Sequence, residues 1–413
     1  MITTRPRLFA AAIAPLLLAV AGCSGTARHG GGRVPGTSLK IYSSQPLTGV
    51  FGAQGRDVVR GEKLALEQAH ARVGRFRIDY QPLDDSDPTT GRWAPAMVAA
   101  NAHQGAKDPR TIAYLGESET GASAVAIPIL NEPGILDVSP TDTVSGFTRR
   151  RGANPGEPEK YYPTRDRDFA RLVPPDDVQA AALVSYMQDE HVRRLFIAND
   201  EALYGRTLAL TLQRAAQRAG ISVVANHGAE IGDVDPIALA TDVASSGADA
   251  FIYAGAADPR VDEVYRQVAG GVPKAKLFAP NALADDSFVP DLDPSVAPRM
   301  FLVSPVLAPR SYPPAARRFV RDFRARYGIA PQGYAVYGYE AMRTVLDAIR
   351  AAGDRGNDRG AVIDALYRLG PRPTALGTIS IDRQGDVSTR VYGAYRVRAD
   401  KLVFVRVLDP SGA

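Results

Sequence analysis

Two successive blocks in which short apolar strands alternate with helical stripes constrain the fold of this chain more than any other feature. In the first block, residues 39–43 (LKIYS) read as a strand, and Val58, Ala65, Leu66, Ala69 and Val73 follow at helical spacing. Residues 76–82 alternate as a second strand and 93–104 suit a helix. Residues 111–115 (TIAYL) make a third strand, 122–130 a helix and 134–138 a fourth strand. An irregular insert occupies 141–171, and then the rhythm restarts. A helix is predicted over 178–189 and a strand over 194–198, with Leu208, Leu212, Ala215, Ala216 and Ala219 as the next helix stripe. Strands at 221–225, 250–253 and 276–279 alternate with helices around 237–244 and 261–268. Such alternation implies right-handed crossovers and parallel sheets, hence an α/β chain of two doubly wound, Rossmann-like lobes.

The remainder is too small for a third core. It offers a strand at 300–304 and helices carrying Phe319, Val320, Phe323 and Tyr327, then Ala335, Tyr339, Met342, Leu346 and Ile349. A short helix at 361–369 and strands at 378–381, 390–398 and 402–407 follow. These pieces are predicted to complete both lobes, so the chain crosses between them more than once. The expected division is 39–170 with 305–388 as lobe one, and 171–304 with 389–408 as lobe two.

The amino terminus has a separate character. Arg5 and Arg7 precede an apolar stretch over 8–21, about 14 residues long and short of the ~20 that a membrane span needs. A positive start, a short apolar core and small residues before a cut site read as a secretory signal over 1–22. Residues 20–23 (VAGC) resemble a bacterial lipobox, which implies lipid attachment at Cys23 and cleavage before it. Cys23 is the only cysteine among 413 residues, so internal disulfides and cysteine-based metal clusters are excluded. Residues 23–38 are Gly-rich and aperiodic, as expected of a flexible tether. The body is thus expected outside the cytoplasm, held to the membrane by its lipid.

Composition then excludes several functions. Formal net charge is +4; without Arg5 and Arg7 it falls to roughly +2, too little for a nucleic-acid footprint. Arg149, Arg150 and Arg151 are the one run, and a solvated loop accounts for them. There is no G-x-S-x-G elbow, no Walker loop and no dinucleotide fingerprint. The five histidines (His29, His70, His103, His191, His227) lack paired metal-ligand spacing. Asp84, Asp85 and Asp87 lack the Gly and distal Glu of a calcium loop, and read as a strand-end turn with helix capping by Asp87 or Thr89. No catalytic residue, metal or cofactor is expected.

Open parallel sheets bind ligands beyond the carboxyl ends of their strands. In lobe one those ends carry residues 44–49 (SQPLTG), 116–121 (GESETG) and 139–143 (SPTDT). Ser118, Glu119, Thr120, Gly121, Thr141, Asp142 and Thr143 are the candidate site residues there. Thr120 and Gly121 open a helix whose free N–H groups and macrodipole favour an anion such as a carboxylate; a plain N-cap role for Ser118 or Thr120 is compatible with this. From lobe two, residues 199–200, Tyr204, Gly205, 254–256 and 280–282 would face the same cleft. Tyr204 serves equally well as helix-start packing.

Several of these segments together resemble the leucine/isoleucine/valine-binding family of type I periplasmic solute-binding proteins, which serve ATP-driven importers. The resemblance rests on residues 46–49 (PLTG), 116–126 leading into 131–135 (NEPGI), and 138–140 (VSP). Residues 199–205 (NDEALYG), 337–341 (YGYEA), 376–377 (LG) and 382–386 (DRQGD) complete it, in the family's order and over nearly the whole mature chain. It implies two lobes joined by three hinge strands that close on a small-molecule solute, a monomer that hands its cargo to an ABC permease, and no cofactor. By position it implies that Thr120 holds the ligand carboxylate, that Thr143 is a second polar contact and that Tyr204 is a cleft aromatic.

The departures concern the amine end of an amino-acid ligand. Asn281 stands where members often place a Glu for the ammonium, Ala256 or Ala257 where a tyrosine is usual, and Gln54 where another is found early in lobe one. A buried ammonium without an acidic partner is costly. Glu119 and Asp142 are either the substitute acid or solvent-facing side chains. The insert over 149–171, with Tyr161 and Tyr162, either shapes the cleft mouth or is a surface excursion. An extracytoplasmic sensor on the same fold and a lipoprotein enzyme on an α/β scaffold are the competing functions; the enzyme would need a nucleophile–base pair that the strand ends do not offer.

Overall fold

The computed structural model describes residues 31–49, 51–284, 288–289 and 292–410. The signal expected at 1–22 and the lipidation expected at Cys23 lie outside them. Lobe one starts with β1 (Ser38–Gln45), α1 (Gly52–Gln68), β2 (Arg72–Val73), β3 (Phe76–Asp84), α2 (Pro95–Lys107), β4 (Thr111–Leu115), α3 (Thr120–Asn131), β5 (Leu136–Ser139) and β6 (Phe169–Arg171). These strands form a six-stranded sheet in the order β2-β3-β1-β4-β5-β6, parallel except for the short edge strand β2. All residues of β4 and β5 are buried; β4 accordingly reads as a nearly continuous apolar run, while β5 buries the polar Asp137 and Ser139 as well.

The chain then passes to lobe two with α4 (Asp176–Asp189), β7 (Arg194–Asn199), α5 (Leu203–Arg218), β8 (Ser222–Gly228), α6 (Pro236–Ser246), β9 (Ala250–Ala254), α7 (Pro259–Gly271), β10 (Lys276–Ala279) and β11 (Met300–Ser304). It returns for α8 (Pro314–Tyr327), α9 (Ala335–Ala351), α10 (Arg359–Leu366), β12 (Arg372–Thr374) and β13 (Gly377–Ile379), and ends in β14 (Tyr392–Arg398) and β15 (Lys401–Leu408). The second sheet has the order β15-β14-β11-β10-β9-β7-β8. Its β14 and β15 run antiparallel, so the sheet is mixed. Phe319, Phe323, Met342 and Val345 pack into the same core as Leu39, Ile41 and Ile112, which assigns α8 and α9 to lobe one. Val178 and Leu183 pack with Leu195 and Leu208 on lobe two. Three connections therefore join the lobes, between β6 and α4, between β11 and α8, and between β13 and β14.

Helix starts follow local chemistry. Asp235 accepts from the N–H groups of Ile237 and Ala238 ahead of Pro236, Asp258 accepts from Arg260, and Asp358 accepts from Ala361. Several boundaries shift by two or three residues, among them those of α2, β5 and α10, and one departs in kind. Val73, read as the last member of a helical stripe, forms β2 instead, because His70 and Ala71 take left-handed backbone (φ 52° and 49°) and end α1. Among the described residues no helix is long and apolar enough to cross a membrane.

Candidate functional site

The carboxyl ends of β1, β4 and β5 face those of β7, β9 and β10 across a gap between the lobes. The cavity there is lined from lobe one by Phe51, Gln54, Ser118, Glu119, Thr120, Thr141 and Thr143, from lobe two by Tyr204, Ala256, Asn281 and Ala282, and by Tyr334 just ahead of α9. The space between these residues, open solvent at its mouth included, is about 530 Å³, an upper bound that admits only a small molecule.

The lobe-one wall is built on the start of α3. The N-cap position, Glu119, has extended backbone, and no side chain caps the helix. The capping role considered for Ser118 or Thr120 is therefore corrected: both hydroxyls are used elsewhere. Ser118 Oγ donates to Gln45 Oε1, and Thr120 Oγ1 donates to Asp142 Oδ1 at 3.0 Å. No side chain takes the first N–H groups of α3, and the positive end of its macrodipole lies at the wall that Ser118, Glu119 and Thr120 form. Thr141 Oγ1 donates to the carbonyl of Ser118 at 2.9 Å, and Ser139 Oγ to that of Glu117 at 2.7 Å, so the loops after β4 and β5 are pinned together.

Two expected site residues stand one layer back from the cavity. Asp142 is only 1% exposed, behind the wall that Thr141 and Thr143 form on either side of it. Gly121 lies against the ring of Trp93, where a Cβ would come within 2.2 Å of the indole, so its role is close packing. Burial raises the Asp142 carboxyl, and Arg171 opposes that shift. Glu119 does face the cavity and is half-buried. Burial, then the carboxylates of Asp85, Asp142 and Asp200, push its carboxyl up to about 8. Neither acid points into open solvent.

On lobe two, Tyr204 combines the two roles considered for it. It occupies the first turn of α5, and its hydroxyl donates to Asn281 Oδ1 at 2.7 Å. The backbone N–H of Asn281 donates to Gln179 Oε1 at 2.9 Å, and its Nδ2 donates to the Tyr334 hydroxyl at 3.2 Å. That last bond joins a lobe-two loop to a lobe-one residue. A second bridge crosses the cleft mouth, where Arg92 pairs with Asp258.

Asp87 closes a turn, accepting from Thr89 N and Thr90 N at 2.7 and 2.9 Å. It caps no helix, since α2 begins at Pro95 after Ala94, which corrects that part of the reading. The insert over 149–171 does not line the cavity. Tyr161 and Tyr162 are buried with Phe147 and Phe169 in a small core against Ile127 of α3. Beneath it, Arg171 is fully buried and donates to Asp386 Oδ1 at 2.8 Å, to the Val144 carbonyl at 2.8 Å and to Thr148 Oγ1 at 2.6 Å. Phe51, Tyr334 and Arg92 were not among the expected site residues; each joins the cleft through tertiary placement that no local motif signals.

The family profile described as periplasmic binding protein matches residues 38–401. The chain is 27% identical over 365 residues to "Leu/Ile/Val-binding protein homolog 2" of Brucella abortus, covering 87% of this chain and 90% of that protein. It is 25% identical over 388 residues to an "amino acid binding protein" of Pseudomonas aeruginosa, covering 92% and 94%. Among solved structures, it superposes on a leucine binding protein of Thermotoga maritima with a TM-score of 0.77 at 22% identity, covering 91% of this chain and 100% of that one. It also superposes on a solute binding protein of R. palustris, solved with benzoate, with a TM-score of 0.73 at 16% identity, covering 90% and 97%. The two lobes and the cleft at their strand ends agree with these matches: the chain belongs to the periplasmic binding protein family.

Proposed function

We propose that this protein is an extracytoplasmic receptor that captures a small carboxylate-bearing solute by closure of its two lobes and delivers it to an ABC importer permease. The observation that carries the reading is the uncapped start of α3, which presents N–H groups and Thr120 to a cavity shared by both lobes. Contacts made to both lobes at once stabilise the closed form relative to the open one. The lobes, 39–170 with 305–388 and 171–304 with 389–408, are the moving bodies of that closure. The Brucella relative is named for leucine, isoleucine and valine, and fold neighbours were solved with leucine or with benzoate; all of these are carboxylates. The protein acts as a monomeric binding protein and not as an enzyme, and Cys23 carries the lipid that holds it to the membrane.

Mass spectrometry of small molecules released from the purified protein, followed by a thermal-shift screen of amino acids, aromatic acids and sugars, tests the reading. The expected result is a carboxylate that raises the melting temperature of the protein but not of Thr120→Ala. Stabilisation by neutral sugars alone removes the carboxylate role of α3.

A further inference from the structure

We propose that Glu119 is the group that recognises a cationic nitrogen on the solute, so that the site selects a zwitterion, with amine and carboxylate close together, over an acid that lacks the amine. The inference rests on the carboxylate role assigned to α3. Glu119 is the residue immediately before that helix, and its side chain lines the cavity beside Thr120. A solute whose carboxylate sits on the helix start therefore places a nearby amine beside Glu119. Among the described residues the Glu119 carboxyl makes no hydrogen bond or ion pair, and no lysine or arginine lines the cavity. The opposite wall offers no acid: its polar side chains are the Tyr204 hydroxyl and the amide of Asn281, and the amide oxygen and nitrogen are already engaged by Tyr204 and Tyr334.

The charges around Glu119 come from four directions. Asp85 follows β3, Asp142 follows β5 and Asp200 follows β7, while Arg92, ahead of α2, is the one cation and is paired with Asp258. Burial and these three acids hold Glu119 protonated in the empty cleft near neutral pH, with its carboxyl at about 8. An ammonium ion that docks against it favours the carboxylate, and the displaced proton leaves to the buffer. Capture of the zwitterion is then coupled to proton release, and a nitrogen-free acid is bound without it.

The test uses the purified mature protein titrated with the twenty L-amino acids and, for each that binds, the matching acid without the amine (4-methylpentanoate for leucine), with 4-hydroxybenzoate alongside. Calorimetry at pH 7 in buffers of different ionisation enthalpy should show release of up to about one proton per bound amino acid, fading by pH 9. Glu119→Gln should abolish the release and reduce the affinity ratio of amino acid to amine-free acid about tenfold or more. Glu119→Asp should retain part of the release, which separates the charge from a packing role. Binding of amine-free acids in preference, or an unchanged ratio in Glu119→Gln, overturns the assignment and leaves the carboxylate reading standing. Binding of neither class overturns both.

Discussion

Thr120 Oγ1 donates to Asp142 Oδ1 at 3.0 Å, across 22 residues of sequence, and this bond fixes the hydroxyl at the start of α3 against the loop after β5. Asp142 is in turn held by the Ser139 hydroxyl, which accepts from its backbone N–H at 3.0 Å. On the proposed function, the acid would act on a bound solute through Thr120. Asp142→Ala frees the threonine rotamer, and solute affinity should fall about tenfold or more, the worth of one hydrogen bond to a charged group. Asp142→Asn keeps an acceptor at the same place and should stay within about threefold. Isothermal titration of both variants with any bound solute checks this; equal losses would show that charge, not the acceptor, matters.

A second expectation concerns pH. Burial raises Glu62, Glu119 and Asp168 to about 8, Asp176 to about 7 and Asp85 to about 6. In the unfolded chain all five titrate near 4. Between pH 4 and those raised values these groups bind more protons in the folded protein than in the unfolded chain, so their contribution to stability falls as pH rises through that range. The melting temperature of the ligand-free protein should drop by about 5 °C or more from pH 5 to pH 8.5. Calorimetric scans across that interval measure it, and a flat or rising profile contradicts it.

The sequence carried the architecture further than it carried the site. Strands β4, β10 and β11 were legible to the residue because each is a buried apolar run bounded by polar loops. The end of α1 was not, since left-handed backbone at His70 and Ala71 has no signature in their side chains. In the loop after β5, position alone placed Thr141, Asp142 and Thr143 at the cleft, but only coordinates show the middle side chain turned away from the cavity and the outer two turned toward it. Arg171 with Asp386 and Arg92 with Asp258 are pairs 215 and 166 residues apart, and nothing local predicts either partner.

Tyr204 and Asn281 carry a third expectation. The hydroxyl-to-amide bond of 2.7 Å orients Asn281 toward Tyr334 of the other lobe. Tyr204→Phe removes the donor and keeps the ring. It should raise the dissociation constant about three- to tenfold while lowering stability by no more than about 1.5 kcal/mol. Titration and denaturant melts of the same preparation separate the two effects; an unchanged constant would make the pair scaffold alone.

The buried Arg171–Asp386 pair ties the start of the β6-to-α4 connection to the turn at 382–386, and Thr148 Oγ1 donates to the same carboxylate at 2.9 Å. Asp386→Ala leaves the guanidinium of Arg171, at 0% exposure, without its carboxylate. Breaking a buried pair in this way costs about 3–5 kcal/mol, far above the value of a surface bridge. Urea denaturation followed by tryptophan fluorescence is well placed to read it, because Trp93 lies in lobe one. A loss under about 1 kcal/mol would mean that the carbonyls of Val144 and Asp142 and the Thr148 hydroxyl satisfy Arg171 without the carboxylate.

Arg92 and Asp258 sit on opposite lobes, so the opening of the cleft that the proposed function requires would separate them. Asp258 is already fixed in place by accepting from Arg260 N at 2.9 Å, so the pair needs only the arginine to be ordered. It is partly exposed, at 41% for Arg92 and 14% for Asp258, and therefore worth about 0.2–1 kcal/mol, less in salt. Arg92→Ala should accordingly speed solute release up to about fivefold, with a smaller change in the rate of association. Stopped-flow release kinetics at low and high salt check both features: the wild-type rate should rise with ionic strength toward that of the variant, and the variant should respond little. A variant whose release matches wild type at low salt would show that closure is held by the solute and by the bond between Asn281 and Tyr334, with the arginine as a bystander at the mouth.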